Sequence, residues 1–426
     1  MVRNSLVKLA CLFSASVALS TAVAGPSSKV KILHTFSNGN DGAYVLAGLA
    51  KTAAGDLIGT TDFGGGVGCS QEGGCGTVFL VSPRRQETVL HAFSGGSDGG
   101  NPYGGVFVDS SGNAYGTTAG GGASDSGVIF KLDANSAEAV LYNFCSLQNC
   151  TDGAFPQAAP IMDGDGNLYG TTQTGGVKCR AIKGCGTVYR LTPSGSETVL
   201  HAFTDSEGDG SYPESGLVMN RKGDLFGVTG WGGNDMCGGG CGIVFKVSPG
   251  GKETILHTFT GQEDGFHSLG SLVSDKAGNL YGTTFYGGIS NPNCNAGSCG
   301  TIFKIAPNGT KTLLYSFNGP PTDGANPTSA LTLDKFGNLY GVTGNGGNDA
   351  ACSWGCGLAF ELAADGTETV LYTFCSKQQC SDGIYPLGGL LAGRNGVFYG
   401  TTSEGGSATC KVDNTWSCGT VFELRR

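Results

Sequence analysis

Apolar residues along this chain fall in short runs of about five, and Gly, Pro, Asn and Asp separate the runs. Residues 209–259 show the pattern. Asp209–Pro213 reads as a turn-rich loop, Gly216–Asn220 as a short strand a, and Arg221–Asp224 as a tight turn. Leu225–Thr229 reads as strand b, Gly230–Cys241 as a glycine-rich loop, Gly242–Val247 as strand c, Ser248–Lys252 as a turn and Glu253–Phe259 as strand d. No segment carries apolar residues at helical spacing over three turns, so almost no helix is expected. Apolar positions alternate with aromatic ones, not charged ones, as in a sheet buried on both faces. Leu168 and Tyr169 should point to opposite sides.

The unit recurs. Gly-Asn-Leu-Tyr-Gly-Thr-Thr at 166–172 has seven versions, whose second glycines are Gly59, Gly116, Gly170, Gly227, Gly282, Gly341 and Gly400. Self-similarity at this period fixes the fold class. Four antiparallel strands repeated seven times read as an all-β, seven-bladed β-propeller. The glycine between Tyr and Thr should leave room for a neighbouring backbone.

Val30–Phe36 matches strand d, and the chain stops on a strand c at Gly419–Leu424. The N-terminal strand should therefore complete the C-terminal blade and close the ring, which leaves no open edge. An open β-helix is the alternative. The blades span about 42–93, 99–144, 153–203, 210–259, 265–317 and 324–374, with 383–424 plus 30–36 as the seventh. Residues 25–426 then form one domain.

Composition narrows the picture. Glycine is 77 of 426 residues, without the three-residue period of collagen. The net charge of −9, with no basic cluster, argues against nucleic acid and anionic membranes. No apolar run after residue 25 is long enough for a transmembrane helix. Residues 1–24 read as a secretory signal, with Arg3 and Lys8 before the apolar stretch Leu9–Leu19 and a cleavage site after Ala24. A secreted or periplasmic location follows.

The 17 cysteines, less Cys11, fall into close pairs. The pairs are Cys69 with Cys75, Cys145 with Cys150, Cys179 with Cys185, and Cys237 with Cys241. Further along come Cys294 with Cys299, Cys352 with Cys356, Cys375 with Cys380, and Cys410 with Cys418. In an exported chain these read as disulfides. Zinc would need four ligands together. No metal centre or cofactor is expected, and the protein is read as a monomer.

The repeat resembles the bacterial choice-of-anchor tandem-repeat family named GloVer, for Gloeobacter and Verrucomicrobia. Gly-Asn-Leu-Tyr-Gly-Thr-Thr, the following Gly-Gly and Gly-Thr-Val-Phe-Lys/Arg-Leu carry the resemblance. It implies an exported bacterial protein and no particular activity. A C-terminal surface anchor is a feature of such proteins. This chain reaches Arg426 directly after its last strand, so release or periplasmic residence is the expectation.

Antiparallel connectivity puts the b–c and d–a loops on one face, and every cysteine pair falls there. The b–c loop of the second blade, Ala119–Ser126, is the short one and has no pair. The bonds therefore read as staples on long loops, and rigid loops commonly carry function. Asp41, Asp98, Asp152, Asp209, Asp264, Asp323 and Asp382 precede glycine in every d–a loop and read as turn residues. His34, His91, His201 and His257 share a strand-d position with Tyr142, Tyr315 and Tyr372, which suits a packed side chain.

A unique site must come from departures between blades. Phe63, Trp231 and Tyr286, after Gly-Thr-Thr, are aromatic faces that suit sugar rings, with Gln173 and Asn345 as polar neighbours. Asp62 and Glu404 belong to blades that closure makes adjacent, and paired carboxylates can cleave glycosides. His267 is the lone histidine outside the repeated position. The leading expectation is a module binding a glycan or another exported protein. The alternatives are a polysaccharide lyase or glycoside hydrolase using His267, Asp62 and Glu404, and a structural surface protein.

Overall fold

Seven four-stranded antiparallel sheets make up the protein, each in the order a-b-c-d. The computed structural model describes residues 29–66, 68–69, 74–179, 184–206, 208–294, 297–348, 350–407 and 418–426. The expected leader at 1–24 and Cys410 lie outside the described residues.

In the fourth blade the strands are Val218–Met219, Leu225–Val228, Ile243–Val247 and Glu253–Thr258. Strand a is shorter than the sequence suggests because the chain before it runs along the central channel instead of pairing. The seventh blade joins Lys29–Thr35 to Thr420–Arg425, with Ile32 opposite Phe422 and His34 opposite Val421. A bulge at Leu33 matches the one in strand d of every other blade, such as that beside Val244 and Phe245. The two chain ends thus close the ring, and a propeller, not an open helix, is the architecture.

Aromatic packing holds the blades together. The phenylalanine ending strand d of one blade meets the aromatic ring of strand c in the next: Phe36 on Phe79, Phe93 on Phe130, and so on to Phe374 on Phe422. Centroid separations run from 4.9 to 5.3 Å. Such edge contacts add to the large apolar area these rings bury. The motif glycine serves the same layer. A Cβ on Gly227 would lie 2.5 Å from Phe245 Cζ, and one on Gly170 would lie 2.4 Å from Tyr189 Oη. What approaches is therefore a ring of the same blade, not a neighbouring backbone as the sequence suggests.

The two threonines of the motif have separate roles. The first reaches the next blade: Thr171 Oγ1 donates to the Ser215 carbonyl at 2.8 Å, and Thr60, Thr117 and Thr401 make the equivalent bond. The second stays within its blade. Thr172 Oγ1 bonds the Thr174 carbonyl and Thr187 Oγ1, at 2.9 Å each.

Seven of the expected disulfides form within the described residues. In the b–c loops Cys69 bonds Cys75, Cys179 bonds Cys185, Cys237 bonds Cys241, Cys294 bonds Cys299, and Cys352 bonds Cys356. In the d–a loops Cys145 bonds Cys150, and Cys375 bonds Cys380. Cys418 is also disulfide-bonded. Each such small ring contributes roughly 2 kcal/mol by constraining the unfolded chain. Among the described residues no helix is long and apolar enough to cross a membrane.

Candidate functional site at the channel mouth

One equivalent position in every d–a loop has a left-handed backbone without being glycine: Tyr44, Asn101, Phe155, Tyr212, His267, Asn326 and Tyr385, with φ between 53° and 65°. That conformation costs a non-glycine residue roughly 1–2 kcal/mol, and such strain concentrates at functional sites. Two hydrogen bonds hold each one. Its N–H donates across to the preceding blade, as His267 does to the Cys241 carbonyl at 3.1 Å and Tyr212 to Cys185 at 2.9 Å. In the second blade's short loop Ser126 supplies that carbonyl, to Phe155. Its own carbonyl accepts from the residue after Gly-Thr-Thr, as His267 does from Phe285 at 2.9 Å. The stapled cysteine thus fixes an acceptor that orients the next blade's mouth residue. Cys75, Cys299 and Cys356 play that part for Asn101, Asn326 and Tyr385.

These bonds tie down the segment that the sequence suggests is open loop. Trp231–Gly232 pairs with Gly210–Ser211, and Asn345–Gly346 with Gly324–Ala325. Phe63, Thr174, Tyr286 and Glu404 make single bridges at the same place.

The fifth blade is the distinctive station. The His267 ring lies 3.9 Å from Trp231 of the fourth blade and 5.6 Å from Tyr286 of its own, centroid to centroid. Phe266 stacks on Tyr286 at 5.1 Å. His267 Nε2 is buried without a hydrogen-bond partner, and burial holds the imidazole below its ordinary pKa. The group is therefore a neutral aromatic cluster at neutral pH. Trp231, His267 and Tyr286, distant in sequence, meet.

Glu404 and Asp62 occupy a different arc, on blades 7 and 1. Tyr44 is the residue they share: burial raises its pKa first, then the charges of Glu404, Asp62 and Tyr385. Burial pushes the Glu404 carboxyl up to about 7. Tyr44 packs on Phe63 at 5.7 Å. Asn345 is half-buried beside Ala325.

Below the mouth a channel cavity of about 470 Å³ is lined by residues leading into strand a. The walls are mostly Gly, Ala, Ser, Leu and Pro. Glu214 supplies the sole carboxylate of the lining among the described residues. Gln173 Nε2 donates to its Oε1 at 2.7 Å, and burial raises its pKa. Sequence reasoning found Gln173 and missed Glu214. The available signal was a carboxylate directly after Pro213, where the other blades place Leu46, Tyr103, Gln157, Leu269, Thr328 or Leu387.

A second repeated arrangement spans the blade interfaces. The strand-d Tyr bonds, or the strand-d His lies against, the Asp-Gly aspartate of its own d–a loop: Tyr315 Oη donates to Asp323 at 2.9 Å, and His34 Nε2 lies 3.4 Å from Asp41. The same aspartates take local backbone N–H bonds, as the turn reading expects. A glutamate opening strand d of the next blade faces this pair. His201 Nε2 lies 3.6 Å from Asp209 and 3.7 Å from Glu253. Burial, then the opposing aspartate, pushes Glu197, Glu253 and Glu368 up to about 7. The fifth blade has Lys311 there, and its ammonium bonds the Asp264 carboxylate and carbonyl.

The Gloeobacter/Verrucomicrobia repeat model matches residues 21–179, 68–293 and 183–422. No curated protein matches the chain. Solved structures share its fold at low identity. A fungal alcohol oxidase of the AA5 family, in complex with copper, is 13% identical with a TM-score of 0.56, over 94% of this chain and 77% of that one. The extracellular domain of a one-component system from B. thetaiotaomicron is 13% identical with a TM-score of 0.50, over 89% of this chain and 38% of that one. A luciferin-regenerating enzyme is 13% identical with a TM-score of 0.42, over 76% and 91%.

Proposed function

This chain belongs to the Gloeobacter/Verrucomicrobia repeat family, and from that premise we propose that it is an exported, disulfide-stapled module that binds a glycan at its channel mouth. The contact of Trp231, His267 and Tyr286 carries the reading. Flat, neutral aromatic faces beside polar groups are how proteins hold sugar rings, whose C–H faces stack while the hydroxyls find hydrogen bonds. Gln173 and the mouth backbone supply the polar groups. The strained residues and the staples behind them preorganise the site, which lowers the ordering cost of binding. The disulfides fit an oxidising compartment outside the cytoplasm.

The test is a glycan array followed by titration of the hits. Trp231→Ala and Tyr286→Ala should each weaken binding about tenfold or more, the loss of one stacked ring, at unchanged thermal midpoint. Hits that both variants bind as wild type does would refute the site. An exported protein as ligand would appear instead as a partner in pull-downs, and a structural role as no ligand in either assay.

A hydrolase or lyase reading has one observation in its favour, the Glu404 carboxyl at about 7 on the arc of Asp62 and Tyr44. Glycoside cleavage draws on a carboxyl raised by burial together with a second acid, and here both acids act on the same tyrosine. It predicts activity on an array hit that Glu404→Gln abolishes. His267, on blade 5, then takes no part.

A further inference from the structure

Blade 4 connects the aromatic cluster to the channel. The Gly230 N–H donates to the Tyr212 carbonyl at 3.1 Å. Trp231 is the next residue along one strand of that bond, and Glu214 lies two residues along the other. Trp231 pairs with Ser211, three residues before Glu214, so the indole and the carboxylate belong to the same blade on opposite sides of that bond, a separation that an oligomeric ligand can span. Glu214 Oε1 is occupied by the Gln173 amide, while no hydrogen bond from the described residues reaches Oε2. The channel lining holds no Lys, Arg or His among the described residues, so the carboxylate faces a cavity without a counter-charge. A half-buried anion in such surroundings is incompletely solvated, and an incoming cation that hydrogen-bonds it gains most.

The neighbours point the same way. His267 is held neutral by its burial, so it does not repel a cation. Trp and Tyr faces attract one through their quadrupoles. The net charge of −9 draws positively charged ligands toward the protein.

We propose that the glycan taken at the mouth is an amino-sugar oligosaccharide, whose protonated amine is received by the Glu214 carboxylate while a ring of the same ligand stacks on Trp231. This rests on the binding reading above and adds the ligand class to it. A lysine side chain offers the same ammonium, but the stacked aromatic faces favour a sugar.

The experiment titrates the full chain with a glucosamine oligomer, its N-acetylated neutral counterpart and a lysine-rich peptide, in near-neutral buffer. Wild type should prefer the glucosamine oligomer over the neutral one by about tenfold or more, the usual worth of a hydrogen bond to a charged group. Glu214→Gln, which keeps an acceptor for Gln173, should erase that preference by weakening the glucosamine oligomer about tenfold or more. Trp231→Ala should weaken both. Equal affinity for both oligomers, with sensitivity to Trp231→Ala retained, overturns the amine inference and leaves the mouth reading standing. So does a preference that survives Glu214→Gln. Glu214-dependent binding of the peptide alone overturns the sugar class. No binding of any probe overturns the amino-sugar assignment, and the array then judges the mouth on its own.

Discussion

Replacing Glu368 with glutamine should stabilise the protein above pH 7 and leave it unchanged near pH 4. The carboxyl opens strand d of the sixth blade and faces Asp323 and Tyr315 of the fifth, with no histidine or lysine among the described residues to compensate it. Burial, then Asp323, raises its pKa from 4.5 to about 7. The sign follows from the direction. Below about pH 4.5 both folded and unfolded chains hold the proton, so the group costs nothing. Between about 4.5 and 7 the unfolded chain ionises while the folded one does not, and stability falls. Above about 7 the cost is complete. That rise is worth about 3.4 kcal/mol, and solvent screening of this partly exposed group reduces it to about 1.5–2 kcal/mol. Glutamine removes the ionisation, so the variant gains that amount at pH 8. Urea midpoints followed by tryptophan fluorescence from pH 4 to 9 measure it. Parallel profiles for variant and wild type, or a variant weaker at pH 8, would refute the reasoning. Lys311 is the natural control, since its ammonium occupies the equivalent place against Asp264. Burial alone would raise that aspartate, but hydrogen bonds from His257 and Lys311 pull it well below the usual range.

Two further outcomes test the frame. Phe36→Ala should cost about 3–5 kcal/mol, as a fully buried ring does in a closed core, and a near-neutral result would mean that the ends do not close the ring. Thr171→Val should cost about 1 kcal/mol through the lost bond to the Ser215 carbonyl, without steric penalty, since Val228 and Val342 hold that position in other blades. Denaturation at fixed pH checks both.

The period and the strand pattern were legible because each blade repeats the same burial problem, and Ile32 opposite Phe422 is what the matching chain ends predict. The staples were legible too, because partners such as Cys352 and Cys356 sit a few residues apart within one loop. Relations between blades were not legible. Gly227 invites a close approach, but only the register says that Phe245 makes it. The glutamates before strand d recur visibly, yet their opposing aspartates belong to another blade. The left-handed residues hide for another reason. Their requirement is a backbone angle met by Tyr, Asn, Phe and His alike, so no residue type marks it. Trp231 and His267 could be singled out as departures from the repeat, but their contact depends on that angle. Glu214 was hidden because its position tolerates leucine, threonine and tyrosine.

Lys29 lies opposite Arg425, where strand d of the seventh blade begins and strand c ends. Strand c runs away from the b–c loops, so both points lie at the side of the c–d turns. A tether, leader or fused domain joined at either end would leave the disc from its underside. The aromatic cluster would then look outward from whatever surface held the protein, free to meet long polymers that could not slip beneath it.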